Sequence, residues 1–234
     1  MPSKRKTLAN RLLAPLPVGD QQRLVGELET VSFAFGDVLY EVGDNVNFVY
    51  FPETMLASMG MVVDAKHPFE IAMVGADGLV GASFAMGMEV ASVQASVRIA
   101  GAAKRMPIER FRHEFEHSTV FRKAVLRAGH ALMLQIAQTS GCNRFHVVES
   151  RLARWLLMAR DRLGVSQFQL THDDLSKTLG VRRVGVTNAA QGLKLRKMIG
   201  YSRGTISIMN GPALEAAACS CYKKLKSCST AEAI

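Results

Sequence analysis

The sequence predicts an α+β chain: N-terminal helices, a rolled or closed sheet of short strands, one long helix, and a C-terminal helix-turn-helix with a β-hairpin behind it. Three observations carry this. Short apolar runs separated by turn residues fill Val31 to Met106, the pattern of a small rolled sheet. The stretch Thr119 to Cys142 keeps apolar residues at helical spacing with no proline. And the stretch Leu170–Leu193 reads helix, glycine, helix, followed at once by GYSRGTISIM.

In chain order, Leu8, Leu12 and Leu16 repeat at four, which predicts a first helix within residues 7–30. Pro17-Val-Gly-Asp20 interrupts it and caps a second helix carrying Leu24 and Leu28. The strand runs VSFAF, VLYEV, FVYFP, MLASMGMVV, FEIAMV and VASVQASVRIA follow, broken at Gly36-Asp37, Gly43-Asp44-Asn45, Asp64 to Pro68 and Gly75 to Gly78. Arg98, the one charge in its run, is expected as an exposed strand residue. Ile108–Phe115 predicts a short helix, then comes the long one, and Phe145–Leu163 predicts the first helix of the C-terminal domain, with Trp155 in its core. In that helix Arg151, Arg154, Arg160 and Arg162 are expected mostly on faces away from the apolar stripe. The domains are placed at 1–118, 119–143 and 144–234.

Within the C-terminal domain, Thr171 is a candidate N-cap with Asp174 three residues on, an acidic variant of the capping box. Gly180 supplies the left-handed residue that ends the helix. The second helix starts near Arg182 or Arg183. Gly185 and Gly192 each cost it roughly 1 kcal/mol relative to alanine, so packing through Val186 and Leu193 must hold it. Ile206 and Ile208 alternate inward in a hairpin around Arg203-Gly204, making a winged helix.

Charge agrees with that placement. The chain has 234 residues, 48% of them hydrophobic, and a net charge of +9. Residues 1–150 hold 15 basic and 15 acidic side chains, whereas residues 151–234 hold 14 and 5. The whole excess lies with the helix-turn-helix, which points to a polyanion as its partner. No apolar run reaches the ~18 residues of a membrane span, and the basic N-terminus lacks the apolar core of a secretory signal. A cytoplasmic protein is expected, with no membrane partner. No P-loop, nucleophile elbow or HExxH is present, so no enzyme is expected.

On Leu170 to Ile208 the chain resembles the Crp–Fnr family of bacterial transcription regulators, aligning with their DNA-binding domain without a gap. The resemblance implies a sequence-specific DNA-binding regulator, a cyclic-nucleotide-binding-like β-roll that senses a small molecule, and a homodimer formed along the long helix. It implies that Arg183 reads guanine. The family's next reader, a glutamate, is here Val184, placed to touch a thymine methyl, and a second arginine is here Asn188, so a different operator is expected. From the chemistry of base edges, Asn188 or Gln191 suits adenine. Thr171, His172, Arg182 and Arg203 are the candidates for phosphate, and Thr187 completes the DNA-facing set. Val125, Gly129, Leu132 and Ile136 are the candidate dimer residues. A two-fold operator and, for an activator, RNA polymerase are the implied partners.

The roll departs from the family pattern. Relatives that bind cyclic nucleotides carry a Gly-Glu-Leu turn and a later Arg-Ser/Thr-Ala segment. Here the turn is Val80-Gly81-Ala82-Ser83 and the later segment Ala91-Ser92-Val93-Gln94. Gly81 is kept and Ser92 matches the Ser/Thr, but both charged anchors are missing. A phosphate needs fixed donors, so usual cyclic AMP binding is not expected. Gly81, Ala82, Ser83 and Ser92 mark the candidate pocket, whose effector is unknown; the methionine-rich roll (Met55, Met59, Met61, Met73, Met86, Met88) takes something more apolar or nothing. Family members with an iron–sulfur cluster use N-terminal cysteines, and here none precedes Cys142. Cys142, Cys219, Cys221 and Cys228 have no zinc spacing and are expected as idle thiols, with no cofactor and no metal. Two other readings stay open: a ligand-binding or protein-interaction module whose helix-turn-helix no longer reads DNA, and a general RNA or nucleic-acid binder.

Overall fold

The computed structural model describes the backbone of residues 8–63 and 67–230. The basic N-terminal segment, the Asp64–Lys66 part of one expected turn and the last residues of the tail lie outside the described residues, as does the side chain of Cys228. The chain forms two compact units, residues 1–57 with 74–130 and residues 58–73 with 131–234. Among the described residues no helix is long and apolar enough to cross a membrane.

The first unit opens on a correction. Leu8, Leu12 and Leu16 are buried as their spacing implies, but residues 11–15 form turns, not a helix. The cause is Asn10. Its side chain is fully buried, accepts the Leu12 N–H at 3.0 Å, and donates to the carbonyls of Pro52 at 2.8 Å and Gly78 at 3.0 Å. A side chain that takes a local backbone donor offers the chain an alternative to the helical ladder. Helix α1 (Val18–Glu27) follows. It ends at Leu28, whose extended backbone leads straight into strand β1 (Glu29–Phe33).

Strands β2 (Val38–Tyr40), β3 (Phe48–Pro52), β4 (Leu56–Val63), β5 (His67–Val74), β6 (Gln94–Ile99) and β7 (Gly101–Pro107) come next. All six apolar runs contain a strand, and β7 is an additional one. It is the centre of an antiparallel sheet with order β1-β7-β3, while β2 pairs antiparallel with β6 across an irregular register between Val38 and Tyr40. A 3-10 turn over Ala82–Met86 was not foreseen. Arg98 is half-buried rather than exposed, and its Nε has no hydrogen-bond partner among the described residues. Helix α2 runs Ile108–His117 and α3 runs Thr119–Phe145. Phe121 on α3 packs edge-on to Phe111 on α2, with ring centroids 5.8 Å apart, and Val125, four residues further along α3, is also buried.

The second unit is built on helix α4 (Val148–Leu163), buried continuously from Arg151 to Ala159. Trp155 is core as expected, 2% exposed, and its indole N–H donates to the buried carboxylate of Glu70 at 2.7 Å. Strand β8 (Gln167–Gln169), helix α5 (His172–Leu179), helix α6 (Arg183–Leu195) and strands β9 (Ile199–Ser202) and β10 (Thr205–Ile208) form the winged helix. Its sheet has order β8-β10-β9, so the expected hairpin gains a third strand, Phe168 standing opposite Ile206. Helices α7 (Gly211–Ala217) and α8 (Cys221–Thr230) finish the unit. Arg151 and Arg154 sit inside, not on an outer face. Arg154 bonds Thr139 and Met158; Arg151 donates to the carbonyl of Leu179, in the last turn of α5. A buried guanidinium with five donors is tolerated only where such acceptors meet it.

Candidate nucleic-acid interface

Helix α5 is held at both ends. Thr171 Oγ1 accepts the Asp174 N–H at 3.2 Å, and the Asp174 carboxylate accepts the Thr171 N–H at 2.9 Å, a complete reciprocal cap. At the other end Gly180 sits at φ 62°, ψ 41°, and the Val181 N–H bonds back to the Ser176 carbonyl at 3.0 Å. A residue with a Cβ is strained in that conformation, which is why the turn falls there.

Helix α6 is held by one face. Val186, Ala189, Ala190 and Leu193 are buried, matching the inward assignment of Val186 and Leu193. Arg182, Arg183, Val184, Asn188 and Gln191 are all exposed, Val184 at 63%. A β-branched side chain left that open at the start of a helix gains nothing from its own fold. Arg182 is the N-cap and makes no side-chain cap bond. The N-terminus of α6 therefore has no side-chain acceptor from its cap, a favourable end for an anion.

Two expected phosphate residues are otherwise engaged. His172 stacks on Tyr201 of β9, centroids 4.3 Å apart, and its Nδ1 lies 3.1 Å from Thr187 Oγ1. Its Nε2 is buried without a hydrogen-bond partner among the described residues. Burial first, and the Arg183 charge second, hold the imidazole below its ordinary pKa. His172 thus joins α5, α6 and the wing, and its ring does not face solvent as a phosphate donor. Thr171 is exposed, but its hydroxyl is taken up by the cap with Asp174. Thr187 is half-buried, its hydroxyl donating to the Arg183 carbonyl at 3.1 Å.

The wing tip is a two-residue turn, Arg203 at φ 49° and Gly204 at φ 76°. Both central residues have positive φ, the geometry that matches strand twist and prefers Asn-Gly. Arg203 is a non-glycine residue in the left-handed region, with its side chain exposed. The tip is tied to the link between β8 and α5 by the Leu170 N–H, which donates to the Gly204 carbonyl at 2.7 Å.

The candidate pocket residues separate in the first unit. Gly81 has φ 104°, and a Cβ there would meet Val49 Cγ1 at 3.0 Å and Phe84 at 3.2 Å. Ala82 is buried, Ser83 half-buried and Ser92 exposed. The candidate dimer residues differ in exposure. Val125 is 1% exposed and Gly129 is buried, a Cβ on it lying 3.5 Å from Met86 of the same chain. Leu132 and Ile136 are half-buried, and the large apolar side chains that α3 leaves open are Val120, Leu126, Met133, Leu134 and, at its last residue, Phe145. The wide stripe read from sequence mixes an inward face with an outward one.

The cysteines give a further correction. No partnering Cys/His group was expected, yet Cys142, His146, Cys219 and Cys221 come together, their ligand atoms all within 4.8 Å of one another. Cys142 and His146 are four apart, at the last turn of α3 and just past its end, a spacing present in the sequence; their nearness to Cys219 and Cys221 depends on the fold.

Comparison with known proteins agrees with this geometry. A family model described as the Crp-like helix-turn-helix domain matches residues 150–217. Among solved structures, FixK2 from Bradyrhizobium japonicum superposes with a TM-score of 0.69 at 14% identity, covering 82% of this chain and 98% of that one. The c-di-GMP responsive global regulator CLP from Xanthomonas campestris gives 0.65 at 14%, covering 82% and 99%. A transcriptional regulator of the Crp/Fnr family from Eubacterium rectale gives 0.64 at 15%, covering 88% and 97%. Comparison with curated proteins gives no significant match. The chain thus has the α+β fold of the Crp/Fnr regulators and carries their helix-turn-helix, bearing out the resemblance read from its sequence.

Proposed function

We propose that this chain is a sequence-specific, duplex-DNA-binding transcription regulator that acts as a homodimer in the cytoplasm. The observation that carries the reading is the outer face of α6: Arg182, Arg183, Val184, Asn188 and Gln191 stand open beside an uncapped helix start, on the part of the chain that holds all the excess positive charge. Arg183 reads guanine through O6 and N7, Asn188 or Gln191 reads adenine, and Val184 meets a thymine methyl. Arg182 and Arg203 fix register on phosphates. The functional division runs 1–118 for the sensor, 119–143 for dimerisation and 144–234 for DNA.

Leu126 and Met133, seven apart and exposed on α3, are the apolar contacts we assign to the partner copy, with Leu132 and Ile136 at their edge. The roll does not take cyclic AMP in the usual way, because neither charged anchor accompanies Gly81 and Ser92; an activator of this kind would also touch RNA polymerase. Selection of random duplex DNA by the purified protein at two salt concentrations tests the reading. Enrichment of a two-fold site, with affinity falling steeply with salt, is expected. No enriched duplex, or no salt dependence, overturns it in favour of an interaction module. Micromolar cyclic AMP binding by calorimetry would overturn the statement about the roll.

A further inference from the structure

The four-residue cluster has the donor set and spacing of a tetrahedral metal centre. Cys142 lies in the last turn of α3 and His146 directly follows its last residue, the His146 N–H donating to the Cys142 carbonyl at 3.1 Å. Cys219 lies in the link after α7, and Cys221 begins α8. The sulfurs of Cys142 and Cys219 are 3.5 Å apart, and so are Cys221 Sγ and His146 Nδ1. With zinc–sulfur bonds of about 2.3 Å and zinc–nitrogen bonds of about 2.0–2.1 Å, the edges of a tetrahedron are about 3.5–3.8 Å long. The sulfur–nitrogen pair lies at the length of its edge, and the sulfur–sulfur pair is closer than the edge of about 3.8 Å that two bound thiolates span. The three described cysteines are free thiols and buried, Cys142 completely.

We propose that Cys142, His146, Cys219 and Cys221 bind one zinc ion, through three thiolates and the His146 Nδ1.

The surroundings fit such an ion in charge and in polar contacts. Three thiolates, a neutral imidazole and a dication leave a net charge of −1. Arg151 and Arg154 are buried, and both act electrostatically on Cys142 and Cys219. Their hydrogen bonds go to the Leu179 carbonyl, the Thr139 hydroxyl and the Met158 sulfur, none of them anionic, and the Nε of each has no partner among the described residues. An anionic centre would add to the buried Glu70 carboxylate, which lines the same cavity as Arg151 and Arg154, in offsetting the two buried cations. Gln138, one turn before Cys142, donates to Cys221 Sγ at 3.0 Å, the outer bond that orients a thiolate ligand. His146 is half-exposed and gives the ion its way in.

The ion would clamp the α7–α8 link to the end of α3. The Cys219 N–H already donates to the Ser150 carbonyl at the start of α4, and Arg151 next to it holds the last turn of α5. The site is therefore built into the support of the winged helix and stands apart from its DNA-facing surface. Soft thiolates with an imidazole in this geometry favour zinc over the harder divalent ions.

Titration of the full, reduced chain with Co2+ tests the proposal, read by absorption. One Co2+ per chain is expected, with the intense visible bands of four-coordinate cobalt and thiolate charge transfer in the near ultraviolet, both abolished by one equivalent of Zn2+. Gln138→Leu should weaken binding about 10-fold or more. Cys221→Ser and His146→Ala should lose the tetrahedral spectrum. His146→Cys, at a half-exposed position where folding is not at stake, should keep the stoichiometry and strengthen the charge-transfer band. A pale six-coordinate spectrum, or wild-type binding no tighter than that of Cys221→Ser and His146→Ala, overturns the site. So does recovery of the freshly isolated protein with Cys142 and Cys219 joined as a disulfide that takes up no metal after reduction. None of these outcomes depends on DNA, so failure here leaves the regulator reading standing.

Discussion

Helices α5 and α6 are consecutive, similar in surroundings, and held in opposite ways. The first is fixed by its ends: a reciprocal cap at Thr171, a left-handed glycine at 180, and the Arg151 guanidinium on the Leu179 carbonyl. The second has no side-chain cap, contains Gly185 and Gly192, and depends on Val186, Ala189, Ala190 and Leu193 for its place. What the second gives up in local stability it keeps as free chemistry on its outer face. One helix orients and the other is oriented, and changes should separate along that line.

The largest effect is expected where α6 depends on packing. Leu193→Ala removes a fully buried side chain and should cost about 2–5 kcal/mol of unfolding free energy, measured by urea denaturation, with DNA binding lost only as the fold is lost. Arg183→Ala should do the reverse, leaving the melting temperature unchanged, costing about 1–3 kcal/mol of operator affinity and relaxing one base position per half-site; unchanged specificity would remove Arg183 from the readers. Thr171→Ala breaks the cap of α5 and should cost about 1 kcal/mol of stability without altering base preference. Arg203→Asn places a residue suited to the turn at the wing tip. Stability should hold or rise slightly, while the slope of log affinity against log salt falls by about 1.

The smallest effect is a pH dependence. Burial and Arg183 depress the His172 pKa, so the unfolded chain takes up the proton first as pH falls. Stability contributed by neutral His172 is then fully present above its unfolded value, about 6.5, and is eroded below it. Thermal melts at pH 7.5 and 5.5 should show a drop in the wild type that His172→Gln reduces.

What was legible in the sequence was local. Thr171 with Asp174, Gly180, and Arg203-Gly204 each dictate their own backbone within four residues, and each landed where it was read. The same reasoning failed where a partner came from far along the chain. Leu8, Leu12 and Leu16 keep helical spacing, but Asn10 is claimed by Pro52 and Gly78. Arg151 and Arg154 look like surface charges until the acceptors that surround them are known. His172 reads as a phosphate candidate from its position at a helix start, whereas its stacking partner Tyr201 comes from β9 and no local pattern announces it. The Cys/His cluster joins positions 75 and more residues apart, a separation that no spacing motif covers.

Trp155 carries a practical consequence. It is the chain's single tryptophan, sealed from water and hydrogen-bonded to a carboxylate contributed by a strand 85 residues earlier. Its fluorescence is consequently a one-site optical gauge of the joint between β5 and α4. A red shift or a change in lifetime would report the loosening of that single contact, with no label attached and no second indole to confuse the signal.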